Sequence, residues 1–282
     1  MYDFGIVGGD IRQMYVAEYL AAAGYSVFCY GVENMSENAA KNLDEVLNNS
    51  DIIIAPIPFS KDGKNLSIRN SYKRIENWQF ASMIPEGKTV ISGALNKDTL
   101  RIIKEKGSRP VDILCNPVVE KYNTIATAEG TIAEAIISHP GFIYDSMSVV
   151  LGYGKCGRQI ADSLSALGAE VVVCARRSEI RSQAKEHGYE AIDFCELSHQ
   201  IEKFEYIFNT VPELVLDECV LRNVRKNAII IDIASMPGGV DFDAAKRMNI
   251  KCRHCLGLPG KYCPGALAKI YVEQILDSIN KL

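Results

Sequence analysis

The sequence predicts an α/β protein made of two doubly wound parallel-sheet domains. Three observations lead there. Short apolar runs of strand character alternate with amphipathic helical stretches along both halves of the chain. The runs are apolar along their length, as strands covered on both faces are. In the second half one such run passes directly into a glycine-rich turn and then a helical pattern. The two halves therefore read as Rossmann-like units, with a cleft expected between them. Of 282 residues, 48% are hydrophobic and 23% charged, which are globular proportions and leave room for two medium domains.

The first half opens with Phe4-Gly5-Ile6-Val7-Gly8-Gly9-Asp10, a short strand ending in glycines. A helix follows from Arg12 to Ala23, with apolar residues at Met14, Val16, Ala17 and Leu20. Gly24 stops it, and Ser26 to Tyr30 is a second strand. Asp51 to Pro56 is a third, closed by Pro56 and Pro58. Residues 60–80 are mixed and polar (Lys61, Asp62, Lys64, Arg69, Lys73, Arg74) and read as loop and surface. Lys88 to Ser92 is a fourth strand, a basic helix spans about Asp98–Lys106, and Asp112-Ile113-Leu114 is a fifth strand. Residues 128–138 form a helical connector that His139-Pro140-Gly141 breaks.

In the second half the strands are Ser148–Leu151, Glu170–Cys174, Tyr206–Asn209, Ala228–Ile233 and a short one near Ile250–Cys252. The last helix, about Gly265–Ile279, carries Leu267, Ile270, Val272, Ile275, Leu276 and Ile279 on one wide face. Residues 1–140 are thus expected to form a substrate-side domain and 141–263 a nucleotide-binding domain. The helix of 264–282 is expected to return to the first.

Charge and cysteine content exclude several classes. A net charge of -4 and a pI near 5.7 argue against a nucleic-acid binder working through bulk positive charge. No apolar run approaches the roughly 18–20 residues of a membrane span. The start of the chain has no basic segment followed by an apolar one, so a cytoplasmic protein is expected. The nine cysteines are odd in number, and a disulfide framework is not expected. Cys252, His254, Cys255 and Cys263 form the tightest group of soft ligands. A single C-x-x-C without a matched second pair does not make a zinc site, and no metal is expected.

The nucleotide fingerprint is Leu151-Gly152-Tyr153-Gly154-Lys155-Cys156-Gly157, a G-x-G-x-x-G that follows a strand and opens a helix from Gln159 to Leu167. Gly152 permits the tight turn, Gly154 lets a pyrophosphate approach the backbone, and Gly157 lets helix and strand pack closely. The helix N-terminus offers N–H groups to the phosphates. At the end of the second strand of this unit an NAD site usually places a carboxylate for the ribose hydroxyls. Here the residues are Cys174-Ala175-Arg176-Arg177-Ser178, with Arg176 24 positions after Gly152. Two guanidiniums and a hydroxyl suit a 2′-phosphate, so NADP is expected over NAD. Asn209-Thr210-Val211-Pro212 and Asp232-Ile233-Ala234-Ser235-Met236-Pro237 close two further strands, and both are expected to face the nicotinamide.

Several longer segments carry a more particular signal: Gly-Gly-Asp-Ile-Arg-Gln (8–13), Ala-Glu-Gly-Thr-Ile (128–132), Ala-Arg-Arg-Ser (175–178), Asp-Ile-Ala-Ser-Met-Pro-Gly-Gly-Val-Asp-Phe (232–242) and Gly-Leu-Pro-Gly (257–260). With the glycine turn and Asn-Thr-Val-Pro (209–212), they resemble the family of dipicolinate synthase dehydrogenase subunits (the A-subunit family), from near residue 4 to the last helix. After Pro264 that family tends to carry polar residues, whereas here Gly265-Ala266 follow, which speaks against a catalytic role for this stretch.

The resemblance implies a cytoplasmic oxidoreductase of bacterial sporulation. A dihydrodipicolinate, or its hydroxylated tetrahydro precursor after water loss, would lose hydride to NADP+ and become aromatic. It also implies a homo-oligomer and a second, flavoprotein-like subunit. For the dicarboxylate substrate the expected cation is Arg12, beside the Gly8-Gly9 turn. Asp10 or Glu129 would take the ring proton. Thr131, Ser235 and the Gly257–Gly260 loop would add hydrogen bonds, and His139 and His254 are alternative bases. Two other readings stay open: an NADP-dependent dehydrogenase of another 2-hydroxy or 2-keto acid, and a nucleotide-binding subunit that needs a partner for activity.

Overall fold

Five parallel strands with their helices make the first unit of the computed structural model, which describes residues 2–33, 39–68 and 74–280. The elements run β1 (Tyr2–Val7), α1 (Ile11–Ala22), β2 (Val27–Tyr30), α2 (Leu43–Asn49), β3 (Ser50–Ile54), α3 (Asn77–Met83), β4 (Thr89–Ser92), α4 (Lys97–Glu105) and β5 (Arg109–Asp112). The sheet order is β2-β1-β3-β4-β5, so the chain reverses its direction of winding between β1 and β3. Helix α1 forms because Val16, Ala17 and Leu20 repeat on one buried face and the Asp10 side chain accepts the Arg12 N–H at its start.

Three readings of this half are corrected. The fifth strand lies at Arg109–Asp112, and Ile113–Cys115 is a 3-10 turn. The Asp112 carboxylate accepts the Leu114 N–H, and also those of Ala94 and Leu95, which turns the chain out of the sheet there. The stretch read as loop and surface runs into the first turn of α3, with the fully buried Phe80, although Lys61, Asp62 and Lys64 are exposed. Arg69 and Lys73 lie outside the described residues. The connector helix, α5 (Pro117–Ser138), begins well before residue 128. Pro117 suits a first helical position, and the Asn116 side chain accepts the Val118 N–H.

The second unit holds β6 (Met147–Leu151), α6 (Lys155–Ala166), β7 (Glu170–Cys174), α7 (Ser178–Glu186), β8 (Glu190–Ile192), α8 (Phe194–Gln200), β9 (Tyr206–Asn209), α9 (Glu218–Leu221), β10 (Ile229–Asp232), α10 (Phe242–Arg247), β11 (Lys251–His254) and α11 (Leu258–Tyr262). Its six parallel strands are ordered β11-β10-β9-β6-β7-β8, with the reversal between β9 and β6. Alternate residues of each strand enter cores on the two faces. Val150, Val173, Phe208 and Ile231 lie on one, and Val149, Val172, Ile207 and Ile230 on the other.

The last helix, α12 (Pro264–Asn280), packs on α1 in the first unit and buries Leu267, Ala268, Tyr271, Val272 and Ile275. The division between units falls inside α5, after Asn123, and again after Tyr262. Among the described residues no helix is long and apolar enough to cross a membrane.

Candidate functional site

The glycine turn of the second unit sits where the strand order reverses, since Leu151 of β6 is in register with Asn209 of β9. Each glycine has a distinct local reason. Gly152 has a φ of +90°, a conformation that favours glycine. A Cβ on Gly157 would stand 2.2 Å from the Gly152 carbonyl oxygen, so only a residue without a side chain lets α6 approach β6 this closely. Gly154 has ordinary backbone angles, and a Cβ there would meet nothing within 4 Å. The space beside Gly154 is therefore left open by the protein. No side chain caps α6 at Gly154, so a helix N-terminus lies beside that space, as a pyrophosphate site requires.

A cleft of about 640 Å³ extends from this turn past the end of β7 and is lined by Gly152, Gly154, Lys155, Arg176, Arg177 and Val211, among others. Tyr153 also borders it, but the residue is buried. Its hydroxyl pairs with His187 Nδ1 at 2.9 Å and the Arg158 guanidinium lies 5.1 Å above its ring, so Tyr153 is a wall rather than a donor. Lys155 is exposed and Cys156 half-buried, both in the first turn of α6.

The Arg176, Arg177 and Ser178 side chains stand exposed at the start of α7, which no side chain caps. Arg181 holds this corner in place: its guanidinium donates to the carbonyls of Ala175 (2.8 Å) and Arg176 (2.7 Å) and pairs with Asp193. Sequence reasoning missed Glu213, which lines the same cleft from the loop after β9 and forms an ion pair with Arg176. Nothing in its local sequence marks it, because the pairing joins residues 37 positions apart.

The strand ends expected to face the nicotinamide need a correction at two residues. Asn209 and Asp232 are fully buried. Asn209 Nδ2 donates to Asp232 Oδ1 (2.8 Å) and to the Val211 carbonyl (2.9 Å). Asp232 also accepts the backbone N–H groups of Ala234 (2.9 Å) and Gly239 (2.8 Å). These side chains tie the two turns together from inside and present nothing to a ligand. Thr210 donates its hydroxyl to the Leu151 carbonyl at 2.9 Å, beside Gly152. Ala234 is buried, Pro212 and Ser235 are exposed, and Val211 contributes to the cleft wall.

Arg12 also departs from the expectation of an open cation. It is 5% exposed. Its guanidinium donates to both Asp10 carboxylate oxygens, to the Ile57 carbonyl (2.7 Å) and to the Tyr271 hydroxyl (3.0 Å), so four of its five N–H groups are spent on the protein. Asp10 in turn caps α1. Burial opposes its ionised form, but the Arg12 contacts outweigh that and hold its carboxyl below the usual range. The Gly8-Gly9 turn is covered by its own chain: Gly9 N–H donates to the Ser67 carbonyl at 2.7 Å, and a Cβ on Gly8 would strike Ile68 and that carbonyl. This contrasts with the open Gly154.

Thr131 is fully buried and donates to the Thr127 carbonyl (2.7 Å), a bond within its own helix. Glu129 is exposed on α5. His139 is buried, accepts the Gly141 N–H on Nδ1 and meets the Asn227 carbonyl with Nε2 (2.8 Å), so it is a structural residue. His254 stacks on Phe242 and meets the Ala234 carbonyl at 2.8 Å. The Gly257–Gly260 segment leads into α11, where Leu258 and Tyr262 pack against Gly130 of α5. The buried Glu134 of α5 joins Lys261, Arg253 (2.9 Å) and Tyr262 (2.9 Å) at the same place. Among the described residues no group of three or more His, Cys, Asp or Glu could hold a metal ion. Burial pushes the Cys252 thiol up to about 12.

Residues 3–114 match the family of N-terminal domains of the dipicolinate synthase A-subunit. Over 271 residues the sequence is 29% identical to the dipicolinate synthase A-subunit of Bacillus subtilis (strain 168), covering 94% of this chain and 91% of that protein. The chain is thus similar to the dipicolinate synthase A-subunits over nearly its whole length. The crystal structure of the A-subunit from Bacillus halodurans superposes with a TM-score of 0.82 at 28% identity, covering 98% of this chain and 97% of that one. The crystal structure of its counterpart from Bacillus subtilis gives 0.81 at 27%, covering 99% and 96%. Residues 129–237 match the NAD binding domain of the D-isomer specific 2-hydroxyacid dehydrogenases. The cleft at the Gly152–Gly157 turn lies within that match, which supports a nicotinamide dinucleotide cofactor and an oxidoreductase role for the chain.

Proposed function

We propose that the chain binds NADP+ and forms pyridine-2,6-dicarboxylate (dipicolinate) by removing hydride from a dihydrodipicolinate. The coenzyme choice rests on one observation: the end of β7 leads into the exposed side chains of Arg176, Arg177 and Ser178 at the positions where an NAD site places its carboxylate, and Glu179 follows only in the first turn of α7. A carboxylate there would repel a 2′-phosphate, whereas guanidiniums and a hydroxyl bind it through charge-assisted hydrogen bonds. The substrate is carried over from the named relatives, which resemble this chain over nearly its whole length.

Bound NADP+ supplies the hydride acceptor, and aromatisation of the product ring supplies the driving force. The protein's task is then to bind and orient two rings. The open Gly154 cradle and the start of α6 would take the pyrophosphate. The turns at 209–212 and 232–239, locked by Asn209 and Asp232, would give the nicotinamide a fixed wall. Of the sequence-predicted catalytic set, Glu129 and Ser235 are the exposed members. In this reading Glu129 accepts the ring proton and Ser235 donates a hydrogen bond. Arg12 with Asp10, and Thr131, support the fold. The relatives are named as one subunit of a synthase, which supports a second subunit working beside this chain; in this reading that subunit is flavoprotein-like and both work in the cytoplasm.

The test is turnover of freshly generated dihydrodipicolinate precursor with NADP+ or NAD+, with and without such a second subunit, followed by NADPH absorbance and the ultraviolet spectrum of the aromatic product. We expect product with NADP+ at a rate at least about tenfold above NAD+. No aromatic product under any of these conditions would overturn the substrate assignment.

A further inference from the structure

We infer that Glu213 is a specificity-setting residue that competes with the coenzyme's 2′-phosphate for Arg176. This rests on the NADP reading above and adds a determinant that the corner after β7 does not contain. Glu213 and Arg176 line one cleft and are ion-paired across it. Both side chains are well exposed, at 63% and 68%, so the pair is solvated and exchangeable rather than a fixed structural bridge. The neighbouring guanidinium of Arg181 is not available for exchange, since two carbonyls and Asp193 already hold it. Arg177 has no ion-pair partner among the described residues.

In the structure the charge of Arg176 is answered by the Glu213 carboxylate. A 2′-phosphate, which carries more negative charge and more acceptor oxygens than a carboxylate, draws the guanidinium away. Glu213 is then left unpaired beside a phosphate. Both the broken pair and the like-charge approach weaken NADP(H) binding, whereas a 2′-hydroxyl meets neither. Glu213 therefore narrows the preference that Arg176 and Arg177 create, and keeps coenzyme release possible.

The experiment is titration of wild type, Glu213→Gln, Arg176→Ala and the double variant with adenosine 2′,5′-bisphosphate, NADPH and NADH. Binding is read by calorimetry or nicotinamide fluorescence. Both residues are exposed, and thermal melts check that the variants fold. Glu213→Gln should bind the bisphosphate and NADPH about three- to fivefold more tightly than wild type and bind NADH unchanged. In the Arg176→Ala background the same substitution should give less than half of that gain on a logarithmic scale, because the competition has lost its object. Unchanged or weaker NADPH binding in Glu213→Gln, or an equal change for NADH, would overturn the inference. A wild type that holds NADH as tightly as NADPH would refute the NADP reading instead. In that protein a gain for the bisphosphate in Glu213→Gln would still support the exchange.

Discussion

Gly154 and Gly157 look alike in the sequence but carry different burdens. Gly157 is required by the protein itself, since its Cβ would lie 2.2 Å from the Gly152 carbonyl. Gly157→Ala should destabilise the chain by about 2 kcal/mol, as backbone overpacking does, measured by urea unfolding. Gly154 is not required by the protein, because a methyl group there meets no neighbour and its φ of -78° suits alanine. Gly154→Ala should keep the melting temperature and weaken coenzyme binding by at least about tenfold, roughly 1.4 kcal/mol. Equal loss of stability in the two variants would contradict this division. The sequence marks both glycines by spacing alone. It could not separate Asp232 and Asn209 from ligand-facing residues, because a polar residue at a strand end can turn either inward or outward. Glu213 carries no local signal at all, since its partner Arg176 lies in a different strand-to-helix corner.

Strands β1, β3, β6, β7, β9 and β10 were legible because a strand buried on both faces must be an apolar run. Helix α2 and strand β8 were not. Helix α2 exposes Asp44 and buries only Leu43, Val46 and Leu47, and β8 is three residues with one fully buried. Such segments form because their neighbours are already in place, which no periodicity records. Two polar ties hold elements together, and each gives a prediction. Asp232→Asn places an amide where three donors converge and should cost about 2–4 kcal/mol in urea unfolding. At the start of α1, Arg12→Ala leaves Asp10 buried without its cation and should cost about 3–5 kcal/mol. Tyr271→Phe removes one hydroxyl, which bonds Arg12 and Asn123, and should cost about 1 kcal/mol. An Arg12→Ala protein of wild-type stability would show that the guanidinium is free for a ligand after all.

For the molecule as a whole, acid should act through a few carboxylates held ionised by the fold. At Glu134, as at Asp10, burial opposes the charge, and the Lys261, Tyr262 and Arg253 contacts outweigh it. A carboxylate whose folded value lies below its unfolded value of about 4 contributes stability at neutral pH. That contribution is complete above the unfolded value and disappears as pH falls through the lower folded value. The urea midpoint should therefore drop between pH 5 and pH 3, and Glu134→Gln should flatten the slope. A midpoint independent of pH over that window would contradict the role of these contacts. The coenzyme site makes the larger demand on the molecule, since one corner of one unit is assigned the choice between two nucleotides. The direct measurement is paired titration of NADPH and NADH against wild type and the Arg176→Ala, Arg177→Ala double variant. NADPH should bind wild type at least about tenfold more tightly than NADH, and the double variant should lose that margin while still binding NADH. A wild type that favours NADH, or a double variant that keeps its preference for NADPH, would contradict it.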